Sequence, residues 1–357
     1  MPCDRLHEGP VLRRIVGIVL LACLLAVGAG TVMLGQIRAS LDQPAGLRTI
    51  LIYTVPPHAH FARIAADLHS QGAIEHPKFW SLYARWYGYA TKVKAGEYAF
   101  EPGITPRRLL QQLVAGQVLL HSFTIIDGWQ VRDLLVALRQ NERIRSTLPP
   151  MTTATDLMPR LGLPAGNAEG QFLPETYRFP GGTTDVALLK QAHAALRKEL
   201  DSAWAGRDPQ LPLHSPQDLL ILASIVEKET GLGSERARIA GVYVQRLLQG
   251  MRLQADPTVI YGLGTRFDGN IKTADLRADG PYNTYTRTGL PPTPIALPGA
   301  ASLRAAAHPD MSGDLYFVAS GTGDGSHVFS QTYAQHSRAV THYLEAIRRR
   351  AARVESP

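Results

Sequence analysis

The chain has 357 residues, of which 45% are hydrophobic and 19% are charged, and this balance excludes wholesale disorder. The formal charge of +7 comes from 37 Lys and Arg against 30 Asp and Glu. No basic run is interleaved with aromatic residues, so the sequence predicts no nucleic-acid partner. The length leaves room for two or three domains.

Metal and cofactor chemistry has no sequence signature. The only two cysteines, Cys3 and Cys23, lie before and inside an N-terminal apolar run, so the rest of the chain has no thiol for a disulfide or a metal. The histidines of the C-terminal third lack the paired short spacings of a zinc site. The Gly-rich turn Gly321–Ser326 is followed by no Lys-Ser/Thr pair, unlike a phosphate loop. We therefore predict no metal and no cofactor.

The N-terminus reads as a membrane anchor. Residues 1–14 form an arginine-containing lead, and residues 15–34 carry no charge, which is enough apolar length for a bilayer-spanning helix. The basic lead predicts a cytoplasmic N-terminus, with everything after residues 15–34 outside. A cleaved signal peptide is the alternative, since Val27–Ala29 resembles a cleavage site and Leu20–Cys23 loosely resembles a lipoprotein signal. Residues 35–46 are predicted to be a tether.

A small module is predicted for residues 47–126. Its elements are a strand at 49–55, helices at 61–71 and 78–87, a strand at 97–100, then a helix at 105–115 and a strand at 119–126. The first four give a β-α-α-β unit, which either holds glycan or acts as a spacer. Four aromatic residues at near-helical spacing suit either sugar stacking or the core: Tyr83, Trp86, Tyr87 and Tyr89.

A larger domain is predicted for residues 127–353, followed by a tail at 354–357. Its predicted elements are helices at 130–140 and 186–203, a loop at 146–170, a hairpin at 315–319 and 327–330, and a closing helix at 332–353. Residues 280–299 contain five prolines and are expected to form a stiff loop. This loop is either the wall of a binding groove or a cover over the core.

The centre of this domain is the stretch Ser215–Gly264. Ser215, followed by Pro216 and Asp218, predicts the start of a capped helix that ends before Gly231. Between these ends, the run Leu219–Val226 leaves almost no polar face. The pattern is typical of a helix buried in a domain core.

Glu227 stands out because it continues the apolar side of that helix. An ionised carboxylate there is costly unless it is paired or protonated, so Glu227 is a candidate general acid. The structural alternative is a residue of the last turn paired with Lys228 or Arg236. Glu229 lies about 200° further round the helix and is expected to point away.

A polar stretch after the next predicted helix (234–249) suits a ligand rich in hydroxyl groups. The candidate binding residues are Gln254, Asp256, Thr258 and Tyr261, together with Asn283, Thr284 and Tyr285 from the Pro-rich loop. Short polar side chains and aromatic rings fit a sugar-binding cleft better than an apolar pocket. Asp256 and Pro257 are read as the start of a short turn that ends at Gly262.

Several ordered motifs resemble those of the MltG or YceG-like endolytic murein transglycosylases. They are ASIVEKET (223–230), MRLQADPTVIYGLG (251–264), YNTY (282–285), GLPPTPIALPG (289–299) and AAAHP (305–309), with weaker matches at KAGEYAF (94–100) and EGQFLPETYRFP (169–180). Two departures are Leu297, where the family often has Asn, and Pro56–His58, where it has Pro-Glu-Gly. The resemblance implies an α+β fold: a transmembrane helix, a LysM-like β-α-α-β module and a mixed α+β catalytic domain around the buried helix.

The resemblance also implies a function. It predicts a lytic transglycosylase, anchored in the inner membrane with its catalytic domain in the periplasm, that cleaves the MurNAc–GlcNAc bond inside nascent peptidoglycan strands. The products would be 1,6-anhydroMurNAc ends and terminated strands, and Glu227 would be the catalytic acid/base. Implied partners are glycan strands, the membrane and peptidoglycan synthases of the elongation or division machinery. The alternatives are a peptidoglycan hydrolase with Asp256 or Glu229 as second carboxylate, and a non-catalytic wall-binding scaffold.

Overall fold

The computed structural model describes residues 10–354, with side chains described from 14 to 350. The first nine residues of the predicted lead and the last three of the predicted tail lie outside this range. Within it the fold is mixed α+β, as predicted. The chain divides into two compact units between His121 and Ser122. The predicted domain limits, 47–126 and 127–353, stay a prediction.

Unit 1 begins with helix α1, Pro10–Asp42. Its part from Arg14 to Asp42 has a mean hydropathy of 2.6 over its most apolar window, and no other helix in the described part of the chain is long and apolar enough to cross a membrane. A signal sequence would have the same character. The helix is therefore consistent with the predicted anchor.

A β-α-α-β module follows, in the predicted order. It consists of β1 (Leu51–Val55), α2 (Phe61–Ser70), α3 (Pro77–Trp86) and β2 (Gly96–Phe100), and α4 (Pro106–Ala115) comes next. The two strands pair antiparallel, with Leu51 opposite Phe100. Trp80 centres the core: it stacks on Phe61 at 4.7 Å and donates its indole N–H to the Pro106 carbonyl at 2.9 Å. The LysM-like character of this module stays a prediction.

The predicted tether at residues 35–46 is wrong. Helix α1 continues to Asp42 and packs on α3 and α4, with Ile37 and Leu41 buried in the module's core. These two side chains lie four residues apart and therefore on the same helix face. Arg107 completes the attachment, since its Nε donates to the Asp42 carboxylate at 2.7 Å. The apolar helix and the module are thus one packed body.

The four aromatic residues at the end of α3 and just after it are not all part of the core. Trp86 is 77% exposed and Tyr87 55% exposed, whereas Tyr83 and Tyr89 are partly buried. Helical spacing predicts a buried stripe only when a partner covers that face, and here the end of α3 is uncovered within unit 1.

Strand β3 (Leu120–Thr124) crosses the boundary between the units. Unit 2 then has α5 (Val131–Gln140), α6 (Ala154–Arg160), β4 (Thr176–Pro180) and α7 (Asp185–Gly206). Strands β3 and β4 pair with each other. The region 146–170 was predicted to be a loop, but it contains α6, whose Asp156 lies in the first turn and whose Leu157 and Met158 are buried. Strand β4 was not predicted.

The core of unit 2 is helical. It contains α8 (Pro216–Glu229), α9 (Arg236–Leu248), α10 (Asp256–Leu263), α11 (Thr273–Arg277) and α12 (Ala300–Ala307). Every residue from Leu219 to Val226 is buried, and α8 packs against α7, α9, α10 and α12. The predicted buried central helix is confirmed. The predicted turn at 256–262 is instead the two-turn helix α10, and α11 and α12 were not predicted.

The unit ends as predicted, with a hairpin and a long helix. Strands β5 (Tyr316–Ala319) and β6 (His327–Ser330) pair antiparallel, and α13 spans Tyr333–Val354. The Pro-rich stretch 280–299 has no helix or strand. Its end covers the core, since Ile295, Ala296 and Leu297 are buried.

Candidate active site

The end of α8 brings two carboxylates to the surface of the core. Ser215 caps the helix by accepting from the backbone N–H of Asp218, and Asp218 in turn accepts from His214. Within the helix, Ser224 accepts from the backbone N–H of Ile295 at 3.0 Å, which fixes the Pro-rich segment to α8. The last turn then carries Glu227 and Glu229.

The Glu227 carboxylate is largely enclosed and accepts hydrogen bonds from three residues. Its side chain is only 5% exposed. Its Oε2 accepts from the Ser302 hydroxyl at 2.7 Å and from the Gly299 backbone N–H at 3.0 Å, and its Oε1 accepts from Arg236 at 3.5 Å. Because Gly299 is the N-cap of α12, Glu227 satisfies unpaired donors at that helix N-terminus. The carboxylate thereby joins α8, α9 and α12.

The neighbourhood of Glu227 contains a carboxylate that the sequence did not indicate. Asp127 lies so close to Gly299 that a Cβ added to this glycine would stand 2.5 Å from its Oδ1. Burial raises the pKa of Asp127, and the Glu227 charge raises it further. Its loop is held by two backbone bonds, Gly128 N–H to the Leu297 carbonyl and Leu297 N–H to the Trp129 carbonyl. The family departure at Leu297 is therefore a buried core side chain.

Glu229 faces a different environment, an open pocket of about 320 Å³. Three of the predicted binding residues line this pocket: Gln254, Asp256 and Tyr285. None of the seven predicted binding residues has a hydrogen bond to Glu227 in the described part of the chain. Glu229 points away from Glu227, as the 200° between them predicts. The loop that carries Gln254, here called the ligand loop, packs on the Glu229 side.

The pocket perturbs the ionisation of Glu229. Burial raises its pKa to about 7. The Tyr243 hydroxyl, which donates to Oε1, lowers the pKa, as does the Arg246 charge, whereas the charge of Asp256 raises it. A carboxyl group with a pKa near neutrality can both give and accept a proton at physiological pH, as general acid-base catalysis requires.

The pocket wall includes residues that the sequence did not single out: Tyr243, Arg246, Tyr316, Phe317, Tyr333 and His336. Arg246 is only 7% exposed and donates to the Leu315 carbonyl at 2.8 Å and the Leu253 carbonyl at 2.5 Å. It therefore holds the ligand loop while placing a positive charge beneath the pocket. No local pattern reveals these residues, because they come from α9, the hairpin and α13.

The loop before α10 has a constrained shape. Gln254 has a left-handed backbone with φ of 51°, which is uncommon for a residue with a side chain, and its N–H donates to the Thr284 carbonyl at 3.1 Å. Asp256 is exposed, and its carboxylate accepts from the Tyr285 hydroxyl at 2.5 Å. Gln254, Asp256 and Tyr285 are thus positioned to meet a ligand.

Three other predicted binding residues are buried and have a supporting role. Thr258 and Thr284 share a hydrogen bond at 2.9 Å, and Thr284 also accepts from the Ala255 N–H at 3.0 Å. Asn283 donates to the carbonyls of α11 and its C-cap, at 3.0, 3.1 and 2.7 Å. These contacts fix the loop and leave no polar group for a ligand, so direct binding by Thr258, Asn283 and Thr284 is not supported.

Tyr261 belongs to another cluster. Its hydroxyl donates to Glu169 Oε2 at 3.3 Å, and the Val131 N–H donates to Glu169 Oε1 at 3.0 Å. Glu169 is only 3% exposed, and burial raises its pKa to about 7. The sequence signal for Glu169 was its place in the EGQFLPETYRFP motif, which gave no indication of its ionisation. Tyr261 therefore supports the fold beside the pocket.

The fold and pocket define a class of protein, a mixed α+β enzyme scaffold whose central helix delivers a carboxyl group of raised pKa to a polar, tyrosine-lined pocket. The chain belongs to the YceG-like family, whose model matches residues 53–342. The family predicted from the sequence motifs is thereby confirmed.

Relatives with assigned names agree with this. An endolytic murein transglycosylase of Bacillus subtilis strain 168 is 28% identical over 323 residues, which cover 84% of this chain and 86% of that protein. The endolytic murein transglycosylase of Streptococcus pneumoniae serotype 2 is 26% identical over 325 residues, covering 82% of this chain but 58% of the longer relative. The predicted enzyme class is the one that these names carry.

A solved structure is also similar. The crystal structure of a yceG-like protein from Listeria monocytogenes is 25% identical and matches 82% of this chain and 99% of that chain, with a TM-score of 0.48.

Proposed function

We propose that the protein is a lytic transglycosylase that cleaves the glycosidic bond between MurNAc and GlcNAc inside peptidoglycan strands, with Glu229 as the acid/base. The observation that carries the proposal is a carboxyl group with a pKa of about 7 on the wall of an open polar pocket. Family membership and the names of the relatives give the substrate class.

The role of Glu227, which the family resemblance implies, stays a prediction, and we prefer Glu229 for a geometric reason. A general acid must reach the leaving oxygen of the substrate. The Glu227 side chain is 5% exposed, and its Oε2 already accepts from Ser302 and Gly299, so these contacts would have to open before it protonates a sugar oxygen. Glu229 borders an open pocket of about 320 Å³, a volume within the range of small-molecule sites.

The reaction needs one carboxyl group. Protonated Glu229 donates its proton to the GlcNAc O4 as the bond from MurNAc C1 to that oxygen breaks. The MurNAc C6 hydroxyl attacks C1 and closes a 1,6-anhydro ring, and its proton passes to the Glu229 carboxylate. The enzyme returns to its starting state, and no water is consumed.

The other pocket residues support this chemistry. Tyr285 and Asp256, joined by their 2.5 Å hydrogen bond, offer a donor and an acceptor to sugar hydroxyl groups. Gln254 adds an amide that pairs with hydroxyl or acetamido groups. Arg246 keeps a positive charge beneath Glu229, which stabilises the carboxylate formed after proton donation.

The setting is part of the proposal. We place the catalytic unit in the periplasm, with α1 as a single-pass inner-membrane anchor and the N-terminus in the cytoplasm; the apolar helix and the basic lead support this topology. At this location the enzyme would lie beside the peptidoglycan synthases. Its cleavage of nascent strands would end their elongation. The LysM-like character of residues 47–126 is proposed with it, on the order of elements in unit 1.

A hydrolase remains the second candidate because Asp256 lies in the same pocket as Glu229. With Glu229 as acid, Asp256 would activate a water or attack C1, and the product would have reducing MurNAc ends. The chemical form of the ends therefore separates the two reactions.

The test uses the purified full chain in detergent and isolated uncrosslinked glycan strands, with mass spectrometry of the new ends. We expect anhydro ends and a loss of at least about a hundredfold in rate for Glu229→Gln, which keeps the shape but cannot donate its proton. Glu227→Gln is the matched control. Reducing ends would replace the transglycosylase with a hydrolase. A fully active Glu229→Gln, or an equal loss in a folded Glu227→Gln, would return the role to Glu227.

A further inference from the structure

The apolar part of α1 ends directly beside an uncovered surface of unit 1. Leu34, the last residue of the predicted membrane span, is 41% exposed, whereas Ile37 is buried in the module. Three residues of helix rise about 4.5 Å. The helix therefore passes from its apolar exposed part into the protein core within one turn, and the module begins where a bilayer would end.

The surface at this point is rich in exposed aromatic and apolar groups. A hollow of about 180 Å³ between α1 and the end of α3 is lined by Leu34 and Leu82, among others. On its rim Trp86 is 77% exposed, Tyr87 55% and Leu82 42%. Large side chains grouped in this way on a soluble surface generally mark an interaction site.

A second hollow continues the surface along α2 and α3. It measures about 660 Å³, and its walls include Met33 of α1 together with alanine side chains of α2 and Phe79 and Leu82 of α3. The two hollows share Leu82 and both adjoin α1 near Leu34. The uncovered surface is therefore continuous around one side of the exit point of α1.

Positive charges surround this surface. Arg38, Lys78 and Arg85 line one or other hollow and are exposed, and none of them has an ion-pair partner among the described residues. Tryptophan and tyrosine are enriched where a bilayer meets water, and unpaired cations there attract anionic phosphate groups.

We propose that this surface, defined by Arg38, Lys78, Leu82, Arg85, Trp86 and Tyr87, rests in the headgroup layer of the membrane. Trp86, Tyr87 and Leu82 insert among the headgroups, while the three cations contact lipid phosphates. The inference rests on the proposed anchoring by α1. It makes unit 1 a membrane-bound base with a fixed orientation to the bilayer, which a flexible tether would not provide.

A glycan is the other partner that exposed aromatic rings could take. The continuity with the apolar part of α1 favours lipid, because a sugar chain on Trp86 would lie within the headgroup layer.

The test reconstitutes the full chain in vesicles of phosphatidylglycerol and phosphatidylethanolamine that contain brominated acyl chains, which quench nearby tryptophan fluorescence. The chain has four tryptophans, and Trp80 is buried. We expect quenching in the wild type and the loss of most of it in Trp86→Phe. Trp204→Phe, in unit 2, is the matched control and should keep the quenching.

Flotation separates the possible failures. A chain that does not float with vesicles would overturn the anchor, and the surface with it. A chain that floats but shows equal quenching in wild type and Trp86→Phe would overturn the surface alone. Binding of isolated glycan strands that Trp86→Phe weakens, without lipid quenching, would assign the surface to sugar. Weaker quenching in Lys78→Gln/Arg85→Gln would support the phosphate contacts.

Discussion

Glu227 and Glu229 stand two residues apart in the last turn of α8, yet one carboxylate accepts from Ser302 and the other from Tyr243. Two residues turn the helix by about 200°, so the side chains leave on nearly opposite sides. One therefore joins helices inside the core, and the other borders the pocket.

This division predicts that Glu227 variants lose stability. Glu227→Gln leaves Arg236 without its counter-charge and places an amide among donors, and Ser302→Ala removes the 2.7 Å bond. We expect each to lower the free energy of unfolding of unit 2 by about 1.5 to 3 kcal/mol, the range for hydrogen bonds to charged groups. Thermal unfolding by circular dichroism measures this, and the rate per folded molecule should stay near wild type. Unchanged stability would show that the hydrogen bonds of Glu227 do not stabilise the packing of α8, α9 and α12.

The pocket predicts how activity depends on pH. With a pKa of about 7 for the protonated acid, kcat/KM should be level in mild acid and fall above about pH 7. Tyr243→Phe removes a donor that stabilises the carboxylate, so the pKa of Glu229 rises and the alkaline limb moves to higher pH. Asp256→Asn removes a negative charge, so the limb moves to lower pH.

Rates on glycan strands across pH 5 to 9 check both directions. A purely structural effect of either substitution would lower the rate at every pH and leave the limb in place. Shifts of the same sign would contradict the assignment of Glu229 as the titrating group.

The sequence predicted the fold well where the signal is local. The capped, apolar α8, the hairpin of β5 and β6 and the closing helix follow from caps, periodicity and turn residues. The tether failed because Ile37 and Leu41 look like isolated apolar residues until the partner surface of α3 and α4 is known. Short elements such as α6 carry too few turns to give a period.

The site was harder because it depends on packing across the chain. Periodicity identified the apolar side of α8, but only the fold determines on which side the 251–285 region lies. Asp127 comes close to the end of α8, and Glu169 comes close to α10. Each lies about 90 to 100 residues earlier in the chain, and no short motif encodes such a contact. The tyrosines and Arg246 of the pocket were missed for the same reason.

Replacing Gly241 by alanine is predicted to destabilise the protein, although helix propensity alone predicts the opposite. In a helix interior, alanine is favoured over glycine by about 1 kcal/mol. A Cβ on Gly241 of α9 would, however, overlap the backbone carbonyl oxygen of Asp310, which is held in place by the bond from its N–H to the Ala237 carbonyl at 2.8 Å. We expect Gly241→Ala to lower the unfolding midpoint of unit 2. The control is Gly231→Ala, whose added Cβ meets nothing within 4 Å and should change little.

The raised pKa of Glu169 predicts that the stability of the protein depends on pH. Burial raises its pKa from the ordinary 4.5 to about 7, so the folded protein binds a proton more tightly than the unfolded chain does. Its contribution is fully present below about pH 4.5 and is lost as pH rises through about 7. Glu169→Gln cannot ionise and still accepts from Val131, so the variant lacks this slope.

The measurement compares thermal midpoints of wild type and Glu169→Gln from pH 4 to 8. The pKa of Glu229 is also raised, but Glu229 is present in both proteins, so its contribution cancels in the difference. We expect the wild type to lose stability relative to Glu169→Gln between pH 4.5 and 7 and to run parallel outside that window. A constant difference across the whole range would show that Glu169 is ionised in the folded protein, stabilised by Tyr261 and the Val131 N–H.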